Sequence, residues 1–474
     1  MQMKDYGNYD GLGLATLVKK GEVSATELLD EAIARTEAVD PKINAVVVRH
    51  YDYARQQIAN GLPEGPFTGV PFLMKDLNTI AGTVTTSGAS LFRNFVAPSS
   101  NTISKRFIAA GVTVFGKSAT PEFGLMPTTE TRLFGPTRNP WNLDHSSGGS
   151  SGGAGAAVAA RILPVAHATD GGGSIRIPAS ACGVFGLKPT RARTPLGPDR
   201  GEGWGGFAAG HVVSISVRDS AAMLDAIHGP ETSSPYQAPP PERPYLDEVG
   251  RDPGKLRIAF TDRSTFGDAI DPEITAAVRD VATMLGKLGH HVEEAAPVLP
   301  QDPAQTIGAI VAANTALVVR LTERTIRRSI TDRDFERLTL ANASIGNRQT
   351  GTDYVEAQLH AFQIARAAAE FMETYDIFLS PTLCMQPLRI GEINTMADEL
   401  GPIGPLLRRY IPGTNMANMS GQPSMSVPLA WSKSGLPLGM MFTARFGDEA
   451  TLFRLAAQLE KERPWKDRKP PVCA

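Results

Sequence analysis

Residues 146–190 read SSGGSSGGAGAAVAARILPVAHATDGGGSIRIPASACGVFGLKPT and hold two clusters of glycine and serine within apolar, alanine-rich sequence. The first cluster places Ser150 and Ser151 between glycine pairs, and the second runs from Asp170 through three glycines to Ser174. Most runs of this kind are flexible linkers, but these two do not separate domains. Bare glycine backbone before a serine would bring N–H donors close to a hydroxyl, as a tetrahedral acyl-transfer intermediate requires. The stretch therefore predicts an acyl-transfer site.

The overall composition is that of a globular protein. The chain has 474 residues, of which 42% are hydrophobic and 20% charged, and a formal net charge of −2. Such a charge gives no basic surface for nucleic acid or an anionic membrane. Cys182, Cys384 and Cys473 follow no metal-ligand spacing, so we expect no disulfide framework, metal or cofactor. With no apolar signal segment and no membrane-spanning run, the expected location is cytoplasmic, and the sequons at Asn342 and Asn418 carry no weight.

Local patterns predict alternating helices and strands. A capping box at Ser24–Glu27 begins an amphipathic helix that should end at Asp40–Pro41. Residues 69–76 read as an apolar strand that ends on a lysine. Residues 415–428 read as a turn leading into a strand, and residues 439–444 as its partner strand.

This alternation predicts the α/β class, as a single large α/β/α sandwich with a mixed central sheet over residues 1–474. We expect the catalytic core at about residues 65–215 and a peripheral substrate-pocket region at about residues 229–410, inserted within the same fold. Residues 229–254 contain seven prolines and predict a linker or an extended surface arm.

The strand at residues 69–76 ends with Lys75 and Asp76. A lysine in this position is commonly solvated or paired with the neighbouring acid. Alternatively, partial desolvation would lower the pKa of Lys75 and make its amine a base. This position alone favours the solvated lysine, and both readings remain open.

Residues 111–118, GVTVFGKS, match the phosphate-binding pattern G-x-x-x-x-G-K-[ST]. That mechanism needs a flexible loop followed by a helix. Here the four variable residues are β-branched or aromatic, and Pro121 follows soon after, so the segment predicts a strand. We therefore do not expect a nucleotide site.

Residues 148–152 match G-x-S-x-G, the nucleophile elbow of α/β-hydrolases, with Ser150 as the serine. That elbow follows a strand, whereas residues 140–146 make a poor strand, and its oxyanion loop lies upstream rather than downstream. A triad histidine should follow the serine, but no histidine well downstream of it lies beside a glycine-rich loop. These histidines are His211, His228, His290, His291 and His360. An esterase of this type remains the alternative mechanism.

Taken together, GGSSGGAGAAVA, TDGGGSIRIPASACGVFGLKPT and the upstream PFLMKDL resemble the amidase signature family. The resemblance continues through TRNPWNL, YDIFLSPT, NMSGQPSMSVPLA and GLPLGMMFTARFGDEATL, and so covers nearly the whole chain. Within that family, TRNPWNL, PVAH and SIRIPAS are similar to the nylon-oligomer (6-aminohexanoate cyclic-dimer) hydrolases and neighbouring bacterial amidases. The resemblance to this family implies hydrolysis of amide C–N bonds.

The resemblance also implies a role for each residue of a triad. Ser174 corresponds to the acylating nucleophile, Ser150 to a bridging serine that follows a cis peptide bond, and Lys75 to the base. A neutral lysine can take a proton from Ser150 while Ser150 takes one from Ser174, so no histidine is required.

The oxyanion hole implied by the resemblance consists of the N–H groups of Gly171, Gly172, Gly173 and Ser174. Ser151, Asp170 and Arg176 would support this loop. Many members of the family carry a threonine or another side chain where this chain has Gly171, a departure that adds loop freedom and keeps the N–H donor.

The expected substrate is a small-molecule amide or carbamate, including aryl amides and nylon-type linear or cyclic oligoamides. The pocket should come from residues 125–133, 201–211, 307–321 and 384–415, and its expected lining is Met126, Thr128, Trp204, Phe207, Asn314 and Ile411. A homodimer is left open, and the other alternative is the amidase subunit of a tRNA-dependent amidotransferase.

Overall fold

One large sheet gathers strands from both halves of the chain. The computed structural model describes residues 5–232, 234–265 and 267–474. Its strands are β1 (Val46–Arg49), β2 (Pro71–Lys75), β3 (Thr113–Ser118), β4 (Glu130–Thr131), β5 (Gly135–Pro136), β6 (Arg138–Asn139), β7 (Asn142–Ser146), β8 (Val165–Asp170), β9 (Phe185–Lys188), β10 (Ala209–Ser214), β11 (Arg257–Phe260), β12 (His291–Glu294), β13 (Ile377–Pro381), β14 (Ser424–Trp431) and β15 (Pro437–Ala444).

Helices alternate with these strands along the chain. They are α1 (Gly11–Lys19), α2 (Ala25–Ile43), α3 (Tyr51–Ala59), α4 (Thr102–Ala109), α5 (Gly152–Ala159), α6 (Arg176–Cys182), α7 (Val217–Ile227), α8 (Pro272–Lys287), α9 (Pro303–Ile326), α10 (Arg337–Arg348), α11 (Gly351–Thr374), α12 (Ile403–Tyr410), α13 (Thr414–Ser420) and α14 (Glu449–Glu462). The predicted capping box is present at the start of α2, where Ser24 and Glu27 bond each other's backbone N–H groups.

Within the described residues, the central sheet has eight strands in the order β12-β11-β13-β15-β14-β9-β10-β8. β11 runs parallel to β12 and β13, and the other neighbours pair antiparallel, so the sheet is mixed. Helices α6, α8 and α14 pack against it. The predicted α/β class with a mixed sheet is confirmed. β11, β12 and β13 lie within residues 229–410, so part of the region expected to be peripheral forms one side of the central sheet.

A separate three-stranded sheet, in the order β1-β3-β2, carries Lys75. All five residues of β2 are buried. At its end, the Lys75 N–H donates to Nδ1 of His167 on β8 over 3.3 Å. Because β2 packs against β8 here, the Lys75 side chain reaches Thr169 near the end of β8.

Apolar side chains fill two large clusters. One surrounds the small sheet and includes Leu28, Phe72 and Val158. The other lies between the central sheet and α8 and α14, and includes Val278 and Phe442. Complete burial of each such side chain stabilises the fold by about 1.5–3 kcal/mol. The two clusters hold the small sheet, which carries Lys75, and the central sheet, whose strand β8 leads into the second glycine-serine segment.

Helix α9 is long and apolar enough to cross a membrane by length and composition alone, with a mean hydropathy of 1.4 in its most apolar window. It packs against α10 and α11. Ile310 and Val319 are buried in the clusters that these helices share. Packing inside the protein accounts for part of its apolar composition, since 33% of that window is buried, while Leu317 and Leu321 are about half exposed.

Three local predictions differ from the structure. Helix α2 continues through Pro41 to Ile43, because a proline in the last turn removes only one helical N–H and Asn44 ends the helix in a left-handed conformation. Residues 414–420 form helix α13 instead of a turn and pack against α11. The proline-rich segment predicted as a linker or surface arm contains a short 3-10 helix, Tyr245–Glu248, and buries Tyr245.

Candidate active site

The amine of Lys75 lies in a buried polar pocket. Its Nζ is 2.7 Å from Ser150 Oγ, and it donates hydrogen bonds to Ser151 Oγ at 2.8 Å and Thr169 Oγ1 at 2.9 Å. The lysine is fully buried, with 0% of its surface exposed. Burial lowers the pKa of Lys75 well below its ordinary value, and the charge of Asp170 opposes this shift only in part. Lys75 is therefore the desolvated lysine of the two alternatives, and not a solvated residue at the end of a strand.

The neighbouring acid, Asp76, is not the partner of Lys75 within the described hydrogen bonds. Its Oδ1 accepts the Thr86 N–H at 2.9 Å, and its Oδ2 accepts the Thr86 hydroxyl. Successive side chains of an extended strand point to opposite sides, which explains the separation. Burial raises the pKa of Asp76 to about 6, against hydrogen bonding from Thr86 and the charge of Lys117.

Ser150 lies in a tight turn that leads into α5. The peptide bond between Gly149 and Ser150 is cis. A Cβ atom on Gly149 would lie 2.7 Å from the Met126 carbonyl oxygen, so the turn has no room for a side chain there. Ser150 and Ser151 are both buried. The turn thus holds two hydroxyl groups against the amine of Lys75.

Residues 142–146, in the segment expected to make a poor strand, do form strand β7. β7 pairs with β6 in a two-stranded ribbon and bridges Arg389, so it is not a strand of the central sheet from which an α/β-hydrolase elbow would follow. Two of the downstream histidines have partners elsewhere. Nε2 of His211 lies 2.9 Å from Ser220 Oγ, and Nε2 of His290 lies 2.9 Å from Gln458 Oε1. This arrangement gives no support to the esterase alternative.

Ser174 follows the glycine triplet at the end of β8. The Asp170 carboxylate accepts the N–H groups of Gly173 at 2.7 Å and Ile175 at 3.1 Å, which folds the loop back on itself. Because the Gly173 N–H is directed at Asp170, it is not available to an oxyanion. The Gly173 N–H was expected in the oxyanion hole, and this expectation is corrected. The N–H groups of Gly171, Gly172 and Ser174 remain candidates for it.

A buried ion pair fixes this loop. Nε and Nη2 of Arg176 each donate to the Asp170 carboxylate at 3.0 Å, and both side chains have 0% exposure. Burial alone would raise the pKa of Asp170, but the charge of Arg176 and hydrogen bonds from Arg176 and Asn418 hold it well below its ordinary value. The carboxylate therefore stays ionised and keeps the loop in shape.

Asn418 on α13 completes this network and was not identified from the sequence. Its Nδ2 donates to Asp170 Oδ1 at 2.8 Å and to the Phe207 carbonyl at 3.1 Å. Its Oδ1 accepts from Arg176 Nη2 at 2.7 Å. The residue belongs to a sequon that carried no weight in the sequence, and no local pattern marked its contact with a loop far away in the chain.

The glycine triplet is covered closely on its outer side. A Cβ atom on Gly171 would lie 2.7 Å from Trp204, and one on Gly172 would lie 2.9 Å from Asn415. Gly173 has a φ of 129°, which side chains rarely allow. Side chains are thus excluded along the triplet, as a loop that offers its backbone to a ligand requires.

A cavity of about 260 Å³ opens beside Ser174. Three of the residues expected in the pocket line it, namely Met126, Trp204 and Ile411. Much of the remaining lining is apolar, including Ile307 and Val311 from α9 and Leu407 from α12. The cavity therefore presents a mainly hydrophobic surface to its ligand.

The other three expected pocket residues do not line this cavity. Thr128 is buried, and Phe207 is buried in an apolar cluster with Met416 and Met419. Asn314 turns back on its own helix and donates to the Ile310 carbonyl at 2.8 Å. In each case the predicted segment does border the cavity, but a different residue of that segment faces it.

Polar lining residues that the sequence did not reveal are Asn342, Arg408 and Asn415. Asn342 belongs to the other of the two sequons noted in the sequence. Arg408 donates to Asp302 at 2.7 Å, so its charge is already paired. The amide side chains of the two asparagines are the neutral polar groups added to the cavity.

The phosphate-loop pattern is a strand, as predicted. Residues 113–118 form β3, whose six residues are all buried. Nζ of Lys117 donates to the Asn78 carbonyl at 2.5 Å instead of pointing into a loop. In residues 5–232, 234–265 and 267–474, no group of three His, Cys, Asp or Glu side chains is placed to hold a metal ion.

Comparisons of sequence and of structure with known proteins both identify amidases as similar to this chain. The family described as Amidase matches residues 27–453. The chain is 38% identical to the 6-aminohexanoate-cyclic-dimer hydrolase of Pseudomonas sp. (strain NK87), over 97% of this chain and 96% of that protein.

Solved structures are similar over nearly the full length. A 6-aminohexanoate cyclic dimer hydrolase complexed with substrate has a TM-score of 0.93 and 36% identity, covering 99% of this chain and 100% of that one. A bacterial aryl acylamidase belonging to the amidase signature enzymes has a TM-score of 0.88 and 27% identity, covering 96% of each chain.

Proposed function

The chain belongs to the amidase signature family, and from that premise we propose that it cleaves amides through an acyl-enzyme on Ser174, with Ser150 as proton link and Lys75 as base. As a member of the family it is a hydrolase of amide C–N bonds in linear or cyclic amides. The observation that carries the proposed mechanism is the distance of 2.7 Å between Lys75 Nζ and Ser150 Oγ in a buried site.

The partners of Lys75 match the hydrogen-bonding capacity of a neutral amine. Such an amine has two N–H donors and one lone pair. Ser151 Oγ and Thr169 Oγ1 accept the two N–H groups. Ser151 in turn has the Thr169 carbonyl within 3.3 Å as an acceptor for its own hydrogen. The lone pair is then directed at the Ser150 hydroxyl, which donates to it.

The proposed reaction moves protons along this line. Ser174 attacks the amide carbonyl and passes its proton to Ser150, whose own proton moves to Lys75. The lysine then returns a proton through Ser150 to the leaving amine, because an amine leaves poorly while unprotonated. Water adds to the acyl-enzyme by the same route and releases the acid. Burial favours this cycle because it lowers the pKa of Lys75 and so favours the neutral amine.

The negative oxygen of the tetrahedral intermediate would be held by the backbone N–H groups of Gly171, Gly172 and Ser174. Asp170 and Arg176 hold these donors in place from behind the loop. Because the donors are fixed before the reaction begins, they need no reorganisation in the transition state. Loss of one such donor raises the barrier by about 3–4 kcal/mol.

The proposed substrates are neutral amides with an apolar acyl or amine part. The cavity lining supports this class, because Arg408 is its only charged side chain among the described residues and is paired with Asp302. Cyclic or linear oligoamides and aryl amides are the first candidates, since similar proteins are a cyclic-dimer hydrolase and an aryl acylamidase. Carbamates are a further candidate with the same carbonyl geometry.

The test is a hydrolysis panel with the purified chain. It should contain anilides, primary amides, carbamates, and cyclic and linear 6-aminohexanoate oligomers, with Ser174→Ala as the control. We expect turnover of at least one amide class by the wild-type chain and none by the variant. Equal turnover by both proteins would refute Ser174 as the nucleophile.

The same panel separates the alternatives. Amide hydrolysis by the chain alone argues against an obligate subunit of a tRNA-dependent amidotransferase. An esterase of the α/β-hydrolase type would instead lose activity when one histidine is replaced. We place the protein in the cytoplasm, because Cys182 and Cys384 are free buried thiols. A homodimer remains to be tested by mass measurement in solution.

A further inference from the structure

Trp204 fills the space that a side chain at position 171 would occupy. A Cβ atom on Gly171 would lie 2.7 Å from Cε3 and 2.9 Å from Cζ3 of the indole. Atoms of Trp204 are its three nearest neighbours. Trp204 also lines the cavity that contains Ser174. The indole is therefore both the cover of the glycine loop and a wall of the substrate cavity.

The loop that carries Trp204 is held firmly in this position. Trp204 has a φ of 52°, a left-handed conformation that is uncommon for a residue with a side chain. Nε of Arg191 donates to the Gly206 carbonyl at 2.7 Å. Asn418 donates to the next carbonyl, that of Phe207, and also to Asp170. The indole and the glycine loop are thus fixed by the same network.

We propose that Trp204, seated on Gly171, is a specificity residue that selects amides whose acyl group is unbranched at the carbon next to the carbonyl. The inference rests on the proposed function, because it takes the carbonyl to lie between Ser174 and the N–H groups of the glycine loop. The α carbon of the acyl group would then lie beside that loop, next to the indole that covers Gly171 and lines the cavity. A branch at this carbon would meet the indole.

Gly171 makes this contact testable. It does not adopt a left-handed φ, so alanine introduces no backbone strain at this position. The added methyl group would meet the indole and force it to move. The effect of Gly171→Ala should therefore depend on Trp204, and removing the indole should relieve it. Two substitutions that act through separate causes would instead have additive effects.

The experiment compares hexanoyl 4-nitroanilide with 2-methylhexanoyl 4-nitroanilide, which share a leaving group and differ by one branch. kcat/KM is measured for the wild type, Trp204→Ala, Trp204→Phe, Gly171→Ala and the double variant Gly171→Ala/Trp204→Ala. Thermal unfolding of each purified variant shows whether it is folded. Comparing the ratio of the two substrates across variants cancels their intrinsic difference in reactivity.

We expect Trp204→Ala to raise the relative kcat/KM of the branched anilide about tenfold or more, the size of effect that one methyl group has in an apolar pocket. Trp204→Phe, which keeps a flat ring, should change the ratio less. Gly171→Ala should lower kcat/KM for hexanoyl 4-nitroanilide, and the double variant should recover to within about threefold of Trp204→Ala, as expected for side chains in contact.

An unchanged substrate ratio in folded Trp204→Ala and Trp204→Phe, or additive losses in the double variant, would overturn the inference while leaving the proposed function intact. Failure of the proposed function gives a different result. In that case the wild type would show no turnover of either anilide beyond that of Ser174→Ala, and the inference would fall with it.

Discussion

Nζ of Lys75 lies 2.7 Å from Oγ of Ser150, and both side chains are buried. A buried ammonium with no close carboxylate is costly, so the site favours the neutral amine. The charge of Asp170 acts on Lys75 but does not cancel the effect of burial. The same burial that makes the lysine unusual as a structural residue makes it suitable as a base near neutral pH.

The first prediction concerns pH. kcat/KM should fall as the pH decreases through the lowered pKa of Lys75, because the protonated amine cannot accept a proton from Ser150. Lys75→Arg should be inactive at every pH at which it is folded, since a guanidinium does not deprotonate in proteins. The measurement is the pH profile of kcat/KM on an activated anilide.

Lys75→Met provides the matched test without a charge. It should also be inactive, whereas Lys20→Ala, a substitution of a surface lysine whose side chain is 62% exposed, should keep the wild-type profile. Turnover by folded Lys75→Met near neutral pH would remove the lysine from the mechanism.

The second prediction concerns the buried pair of Asp170 and Arg176. Asp170→Asn leaves the guanidinium of Arg176 buried without its counter-charge, and should lower the free energy of unfolding by about 3–5 kcal/mol. kcat should fall as well, because the Gly173 N–H donates to the same carboxylate. Urea unfolding and steady-state kinetics measure the two effects.

The control is Glu370→Gln, which breaks the exposed pair with Arg366. A change within about 0.5 kcal/mol is expected for such a surface pair. The pKa of Asp170 is lowered in the folded protein, so its contribution to stability is complete above its unfolded pKa and is lost as the pH falls. A wild-type stability advantage over Asp170→Asn that does not shrink in acid would contradict this account.

The third prediction concerns Asn418. Asn418→Ala removes three contacts, with Asp170, Arg176 and the Phe207 carbonyl, and leaves buried polar groups without this partner. Unfolding free energy should decrease by about 1–3 kcal/mol, and kcat should decrease with it. The exposed Asn347, which accepts from Arg320, gives the control Asn347→Ala. An Asn418→Ala variant with wild-type stability and kcat would exclude this bridging role.

Predictions from the sequence succeeded where the signal is local. The capping box of Ser24 and Glu27 needs only a helix start, and the β-branched residues of 112–115 favour a strand whatever surrounds them. The class of fold follows from the alternation of such segments. The glycine triplet was informative because close approach to a loop excludes side chains, and neighbours such as Trp204 and Asn415 do cover it closely.

The remaining features depend on contacts between distant parts of the chain. Asn418 meets Asp170 across 248 residues of sequence, so no local pattern marks it. The role of the Gly173 N–H could not be predicted either, because its direction depends on how the Asp170 carboxylate turns back. Asn314 and Phe207 illustrate the same limit: a segment near the cavity was predicted, but tertiary packing decides which side chains face it.

Labelling with an alkyl fluorophosphonate tests the central claim most directly, because the reagent exchanges its fluoride for the oxygen of an activated serine. Fragmentation mass spectrometry of the digested protein distinguishes Ser150 from Ser174. We predict one adduct on Ser174 in the wild type, and none on that peptide in Lys75→Met or Ser174→Ala. An adduct on Ser150, or labelling of Ser174 at an unchanged rate in Lys75→Met, would contradict the account.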